Sequence, residues 1–291
     1  MSISRTALVI TASALFAACG APRVALAQTA PATAAPSPAP SPTQAAVNDP
    51  CTSLGSLVSR PTVTTSACAT KFGDLLIETG YTNFATGGSG ANQAVTYPQA
   101  NLRVGLGHNV EFDLNPASIE RISGSPTITG ATDTSLGFKY EISYTRKFLY
   151  GVNVLYTVNS GDPATSANGD GVLANVNASY FASPAISLFS TVSYNAQSAG
   201  SEAAPQRYHG FNPSLGTSIT LPGTLPSFFL EGFGLTSYGP GASGRYGFDT
   251  GFQKDIGSKL QLDVNYYQYP GSYGGSHLHA IGFGAAYVFG G

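Results

Sequence analysis

The sequence predicts an all-β fold, a roughly 12-stranded antiparallel up-and-down transmembrane β-barrel. Three observations lead there. Apolar and polar residues alternate with a period of two, charges inside the alternating segments keep to one parity, and the connections are short and long by turns. In a strand, successive side chains point to opposite faces, so each such segment has one apolar and one polar face. A soluble sandwich alternates too. The charge-free apolar parity sets a barrel in lipid apart, because Lys or Arg at the bilayer midplane costs about 2–4 kcal/mol.

From the N-terminus, residues 1–27 have the anatomy of a signal peptide. Arg5 gives the positive start, Ala7 to Ala18 is uncharged and apolar, and Ala25-Leu26-Ala27 supplies small residues for cleavage before Gln28. A second reading places a lipoprotein box at Phe16-Ala17-Ala18-Cys19, with Phe16 where an aliphatic residue is usual. Both readings export the chain. Residues 28–48 are almost all Ala, Pro, Thr and Ser and bury too little apolar surface to fold, so they read as a tether.

Residues 49–70 read as an N-terminal periplasmic segment. Cleavage before Gln28 leaves Cys51 and Cys68 as an even pair in an oxidising compartment, where a disulfide is expected. Closing a loop of that size is worth roughly 3 kcal/mol in the chain-entropy account.

Residues 71–291 form the barrel. Charged residues are 10% of the chain, against about a quarter in ordinary soluble domains, while Gly numbers 35, Tyr 16 and Phe 16. The strands are expected over about 71–84, 95–106, 109–119, 132–145, 147–158, 171–182, 185–195, 207–221, 226–237, 243–255, 259–269 and 277–289. The clearest alternation is Leu136, Phe138, Tyr140, Ile142 and Tyr144 against Ser135, Gly137, Lys139, Glu141 and Ser143. The segment from Ser227 mixes parities. Glu231 sets its inward face and carries Phe229 and Phe233 inward with it. Connections near 107–108, 146, 183–184, 222–225 and 256–258 are short, and those at 85–94, 120–131, 159–170 and 196–206 are long. Short periplasmic turns and long external loops are the habit of outer-membrane barrels, and an even strand count puts both termini in the periplasm. Tyr and Phe gather near segment ends, where interfacial girdles belong.

A resemblance adds to this. Ile77-Glu78-Thr79-Gly80-Tyr81, then Tyr97-Pro98-Gln99-Ala100-Asn101-Leu102-Arg103-Val104-Gly105-Leu106, then Val110-Glu111-Phe112 resembles the start of a bacterial outer-membrane barrel family. That family is named for the MetA pathway of phenol degradation, and its members are called transporters. Asp133-Thr-Ser-Leu136-Gly137-Phe-Lys139-Tyr140 resembles its next strand, and the match is good over about residues 75–145. The resemblance implies an outer-membrane location and passage of small solutes, aromatic or hydrophobic ones among them.

The candidate lumen-lining set is Arg103, Glu111, Asp113, Lys139, Glu141, Asp249 and Asp263, all on the polar parity. It either selects solutes by charge in an open channel or pairs internally to close a narrow barrel. No catalytic residue, metal site or cofactor is expected. His277 and His279 share a face without a Cys, Asp or Glu close in sequence, and His209 and Ser214 fall on opposite faces. A net charge of −2 points to no nucleic acid. The expected partners are outer-membrane lipid and small solutes, and the oligomeric state stays open. The expected function is passive passage of small solutes. A barrel acting as a binding or structural protein, its lumen plugged by side chains or by the Cys51–Cys68 module, is the alternative, with a barrel-embedded hydrolase behind it.

Overall fold

The computed structural model describes residues 49–86, 93–201, 204–223, 225–237, 239–241, 244–273 and 276–290. The signal peptide, the tether and Cys19 lie outside them. The strands are β1 (Leu75–Thr86), β2 (Gln93–Tyr97), β3 (Asn101–Gly107), β4 (Val110–Asn115), β5 (Ile119–Ile122), β6 (Ile128–Ala131), β7 (Thr134–Tyr144), β8 (Phe148–Val158), β9 (Gly171–Ser183), β10 (Ile186–Ser201), β11 (Ala204–Ile219), β12 (Ser227–Leu235), β13 (Arg245–Ile256), β14 (Leu260–Tyr273) and β15 (Ser276–Phe289). One 3-10 turn (Pro50–Thr52) and one α-helical turn (Leu54–Leu57) precede them.

The wall is an antiparallel barrel of 12 staves, closed by β1 against β15 from Leu75↔Phe289 to Thr86↔Leu278. Fifteen strands make 12 staves because three staves are broken. β2 and β3 form one stave interrupted at 98–100, β4 and β5 another at 116–118, and β6 and β7 a third at 132–133. The lower halves stay in the barrel. The upper halves β2, β5 and β6 continue as a ribbon attached to β1. Pro98 and Pro116 sit in two of the breaks and have no N–H to give a ladder. The stretch expected as a loop at 120–131 is therefore largely strand. The same correction holds at 196–206, where β10 and β11 run on as one long hairpin from Ile186↔Ile219 to Ser201↔Ala204.

Burial follows the predicted parity. Along β7, Phe138 is 55% exposed and Tyr140 46%, while Lys139 and Glu141 are buried. Val176, Val192, Leu215 and Phe283 extend the exposed apolar belt around the molecule. Around the closed wall no edge is left unpaired, the free edge of β6 lying in the ribbon beyond it, and the apolar outside matches lipid rather than water. The chain is an outer-membrane barrel. The β3–β4 turn shows how tight the short connections are, with His108 and Asn109 both left-handed (φ 51° and 61°), as a two-residue hairpin demands. Tyr208, one of the tyrosines near a segment end, where the girdle is expected, instead turns inward and donates a hydrogen bond to Gln197 Oε1 at 2.7 Å.

Candidate functional site

The inside of the barrel is occupied by the chain's own N-terminal segment. Residues expected to hang on the periplasmic side are seated among the inward side chains of the wall. The physical reason is hydrogen bonding. The segment's irregular backbone presents N–H groups that cost about 1–3 kcal/mol each when buried unpaired, and the wall supplies carboxylates to accept them.

Four wall carboxylates do this. Glu78 on β1 accepts from the Ser59 N–H at 3.2 Å and the Arg60 N–H at 3.0 Å. Glu231 on β12 accepts from Val63 N–H at 2.8 Å, Thr64 N–H at 2.9 Å and the Thr64 hydroxyl. Glu141 on β7 accepts from Ala69 N–H at 3.2 Å, and Glu111 on β4 from Thr70 N–H. Hydrogen bonds to ionised acceptors are worth roughly twice neutral ones. The segment spans the barrel, with partners on β1, β4, β7, β9, β10, β12, β13 and β14.

Arg103 on β3 is the hub. It is fully buried, with ion pairs to Glu78 at 2.7 Å, Glu111 at 2.8 Å and Asp113 at 3.8 Å, and Lys139 pairs with Glu111 at 3.1 Å. Its remaining donors go to the segment, to Leu57 C=O at 2.6 Å and Cys68 C=O at 2.9 Å. Alternation places these groups on adjacent staves at one height, since Arg103 faces Asp113 and Glu111 faces Lys139 in the ladders. One guanidinium thus ties three staves and both arms of the segment together.

The predicted residues divide in three. Arg103, Glu111, Asp113, Lys139 and Glu141 are brought together on one side. Asp263 on β14, two staves from Glu78, meets Arg60 of the segment at 3.4 Å. Asp249 lies opposite Glu231, its partner in the β12–β13 ladder. Glu78 and Arg60 were not in the predicted set. Glu78 was legible from the inward parity of Leu76, Glu78 and Thr82. Arg60, in a stretch without periodicity, had no such signal.

A disulfide between Cys51 and Cys68 (Cα–Cα 5.4 Å) closes the segment into a loop. Around it, Leu54, Leu57, Val58 and Ala67 pack against the inward Leu76, Leu149 and Ala286, at the end of the barrel where β1 and β8 begin. Glu141 lies beside the two sulfurs, but these are bonded to each other and offer no thiolate to a metal. Gly151 on β8 allows a close approach there, because a Cβ would stand 2.5 Å from the Ala67 carbonyl oxygen.

The segment divides the interior unequally. Toward the end of the barrel that carries the long β10–β11 hairpin lie two cavities of about 350 and about 420 Å³, sharing Thr62, Thr65, Phe84, Gln99 and Leu173 in their walls. The first adds an apolar face of Phe233, Leu235, Tyr269 and Leu278 together with Asn175, Asn195 and Asn212. Toward the other end the cavity against the segment is about 80 Å³. His209 is exposed and Ser214 buried, so the two face opposite sides of β11.

No family model and no curated protein sequence matches the chain. Solved structures do. The COG4313 outer membrane channel from Pseudomonas putida F1 aligns over 79% of this chain and 100% of its own, with a TM-score of 0.58 and 12% identity. NanC porin aligns over 73% of this chain and 98% of its own (TM-score 0.48, 13% identity). The translocator domain of the autotransporter NalP from Neisseria meningitidis aligns over 73% and 88% (TM-score 0.43, 13% identity). At such identities the likeness is one of fold, and the first of these carries it: this chain has the fold of an outer-membrane channel.

Proposed function

We propose that the protein is a passive outer-membrane channel for small solutes, held shut by residues 50–70 as an internal plug. One observation carries the reading: wall carboxylates bind the backbone N–H groups of this segment across the middle of the barrel. The seven predicted residues Arg103, Glu111, Asp113, Lys139, Glu141, Asp249 and Asp263 then serve twice. Arg103, Glu111, Glu141 and Asp263 hold the plug when it is in place, and all seven line the path when it is out.

The two larger cavities favour solutes with an apolar body. At about 350 and 420 Å³ they fall in the range of small-ligand sites, and the mixture of Phe, Leu and Tyr with a few amides is typical of such sites. Small aromatic or hydrophobic compounds fit that lining, in line with the phenol-linked family that the first strands resemble. The chemistry is transit, with no covalent step and no cofactor.

Planar-bilayer recording of the refolded protein tests this. The intact protein is expected to be closed most of the time, while the double substitution Glu78→Gln/Glu231→Gln, which weakens two of the four plug acceptors, is expected to show frequent large steps. If both stay silent while heat-modifiable on gels, the channel reading is overturned and the barrel is a plugged binding or structural protein.

A further inference from the structure

Asp249 stands apart from the other acidic groups inside the barrel. Glu78, Glu111 and Asp113 face Arg103, Asp263 faces Arg60, and Glu141 accepts from the plug backbone. Asp249 is fully buried on β13, and apart from the neighbouring Glu231 carboxyl its oxygens have no hydrogen-bond partner among the described residues. Its neighbours in the ladders are Glu231 on β12 and Tyr267 on β14. Glu231 is its charged neighbour and is buried as well. Tyr267 is spent on the plug, its hydroxyl donating to Pro61 C=O at 2.7 Å. Among the described residues, no cation pairs with either carboxylate. Two like charges buried side by side without a counter-ion are costly, so the pair calls for a positive partner.

The surrounding donors say which kind. The Thr64 hydroxyl of the plug meets Glu231, and it lies 2.5 Å from the hydroxyl oxygen of Ser214 on β11. A chain of oxygen atoms therefore runs from Ser214 through Thr64 to Glu231, with Asp249 beside Glu231 on the next stave, and the nitrogens at this place are the backbone N–H groups of Val63 and Thr64 on Glu231. All-oxygen, carboxylate-rich sets suit hard divalent cations such as Ca²⁺ and Mg²⁺. We infer that Glu231 and Asp249, with the hydroxyls of Ser214 and Thr64, form a binding site for calcium or magnesium at the seam between wall and plug. Because Thr64 comes from the plug, ion binding and plug seating are linked: the ion holds the seated state, and its removal loosens it.

The test uses the full mature chain, refolded in detergent and stripped with EDTA. Terbium is added and its tyrosine-sensitised luminescence followed, Tyr267 being adjacent, and calcium chloride is then added as competitor. The expected result is a saturable signal of one ion per chain, displaced by calcium with a dissociation constant of about 10⁻⁴ to 10⁻³ M. Asp249→Asn should abolish it. Ser214→Ala, which keeps both charges and serves if the first variant does not fold, should weaken it on the order of tenfold. A heat-modifiable wild type without saturable binding overturns the inference, as does equal binding in both variants. No ion binding together with an Asp249→Asn protein more resistant to detergent than wild type also overturns it, and assigns the pair a shared proton. The luminescence is read on closed protein, so a silent bilayer would fail the channel reading and leave this one standing.

Discussion

Arg103 has no alternative to its present neighbours. Fully buried, it satisfies Glu78, Glu111 and Asp113 with one guanidinium, and truncating it would strand three carboxylates away from water. Removing one member of a buried ionic set costs about 3–5 kcal/mol, so Arg103→Ala is expected to lower folding stability by that amount. Urea unfolding in lipid vesicles, followed by the gel shift, checks it, and an unchanged midpoint would contradict the network. Lysine at this position keeps the charge but loses the planar fork, so Arg103→Lys should recover only part of the loss. Much of this network was readable beforehand. Arg103, Glu111, Asp113, Lys139 and Glu141 show their direction through parity alone, because a charge on the opposite parity would sit in lipid. The partners on the plug were not readable, since an irregular segment has no parity. A surplus of inward carboxylates over Arg103 and Lys139 was the available hint that donors had to come from elsewhere.

At the scale of elements, the plug is held by three kinds of constraint: carboxylate acceptors, the Cys51–Cys68 loop closure and a fitted backbone contact at Gly151. The double substitution Cys51→Ser/Cys68→Ser is expected to leave the barrel heat-modifiable while freeing the segment, since loop closure of this size is worth roughly 3 kcal/mol. Gly151→Val is the complementary change, because its side chain would occupy the place of the Ala67 carbonyl. Both should raise the frequency of opening in the bilayer and make residues 50–70 accessible to protease, while a closed and protected segment in both would argue that the carboxylates suffice. The strands themselves were well marked where lipid enforces alternation, as in β7 and β8. They were poorly marked above it. The upper halves of β10 and β11 are rich in Ser, Ala and Gln, and with no apolar face to present they read as loop. The three broken staves were invisible for a related reason, since alternation resumes on both sides of each break.

For the molecule as a whole, sign matters more than any one pair. Glu78, Glu111, Asp113, Glu141, Glu231, Asp249 and Asp263 face inward, against Arg103, Lys139 and Arg245 of the wall and the plug's Arg60. When the plug leaves, Arg60 and the backbone donors leave with it, and the exposed wall becomes more acidic. The open state is therefore expected to prefer cations. Reversal potentials of the Glu78→Gln/Glu231→Gln protein across a potassium chloride gradient measure this, and anion preference would contradict the assignment of the lumen.

The burial of Cys51 and Cys68, at 3% and 0% exposed, sets an order of events in the life of the chain. With the plug seated inside the closed wall, an oxidant cannot reach these sulfurs. The cystine is therefore expected to form before the plug first seats, so that the wall closes around a loop already tied.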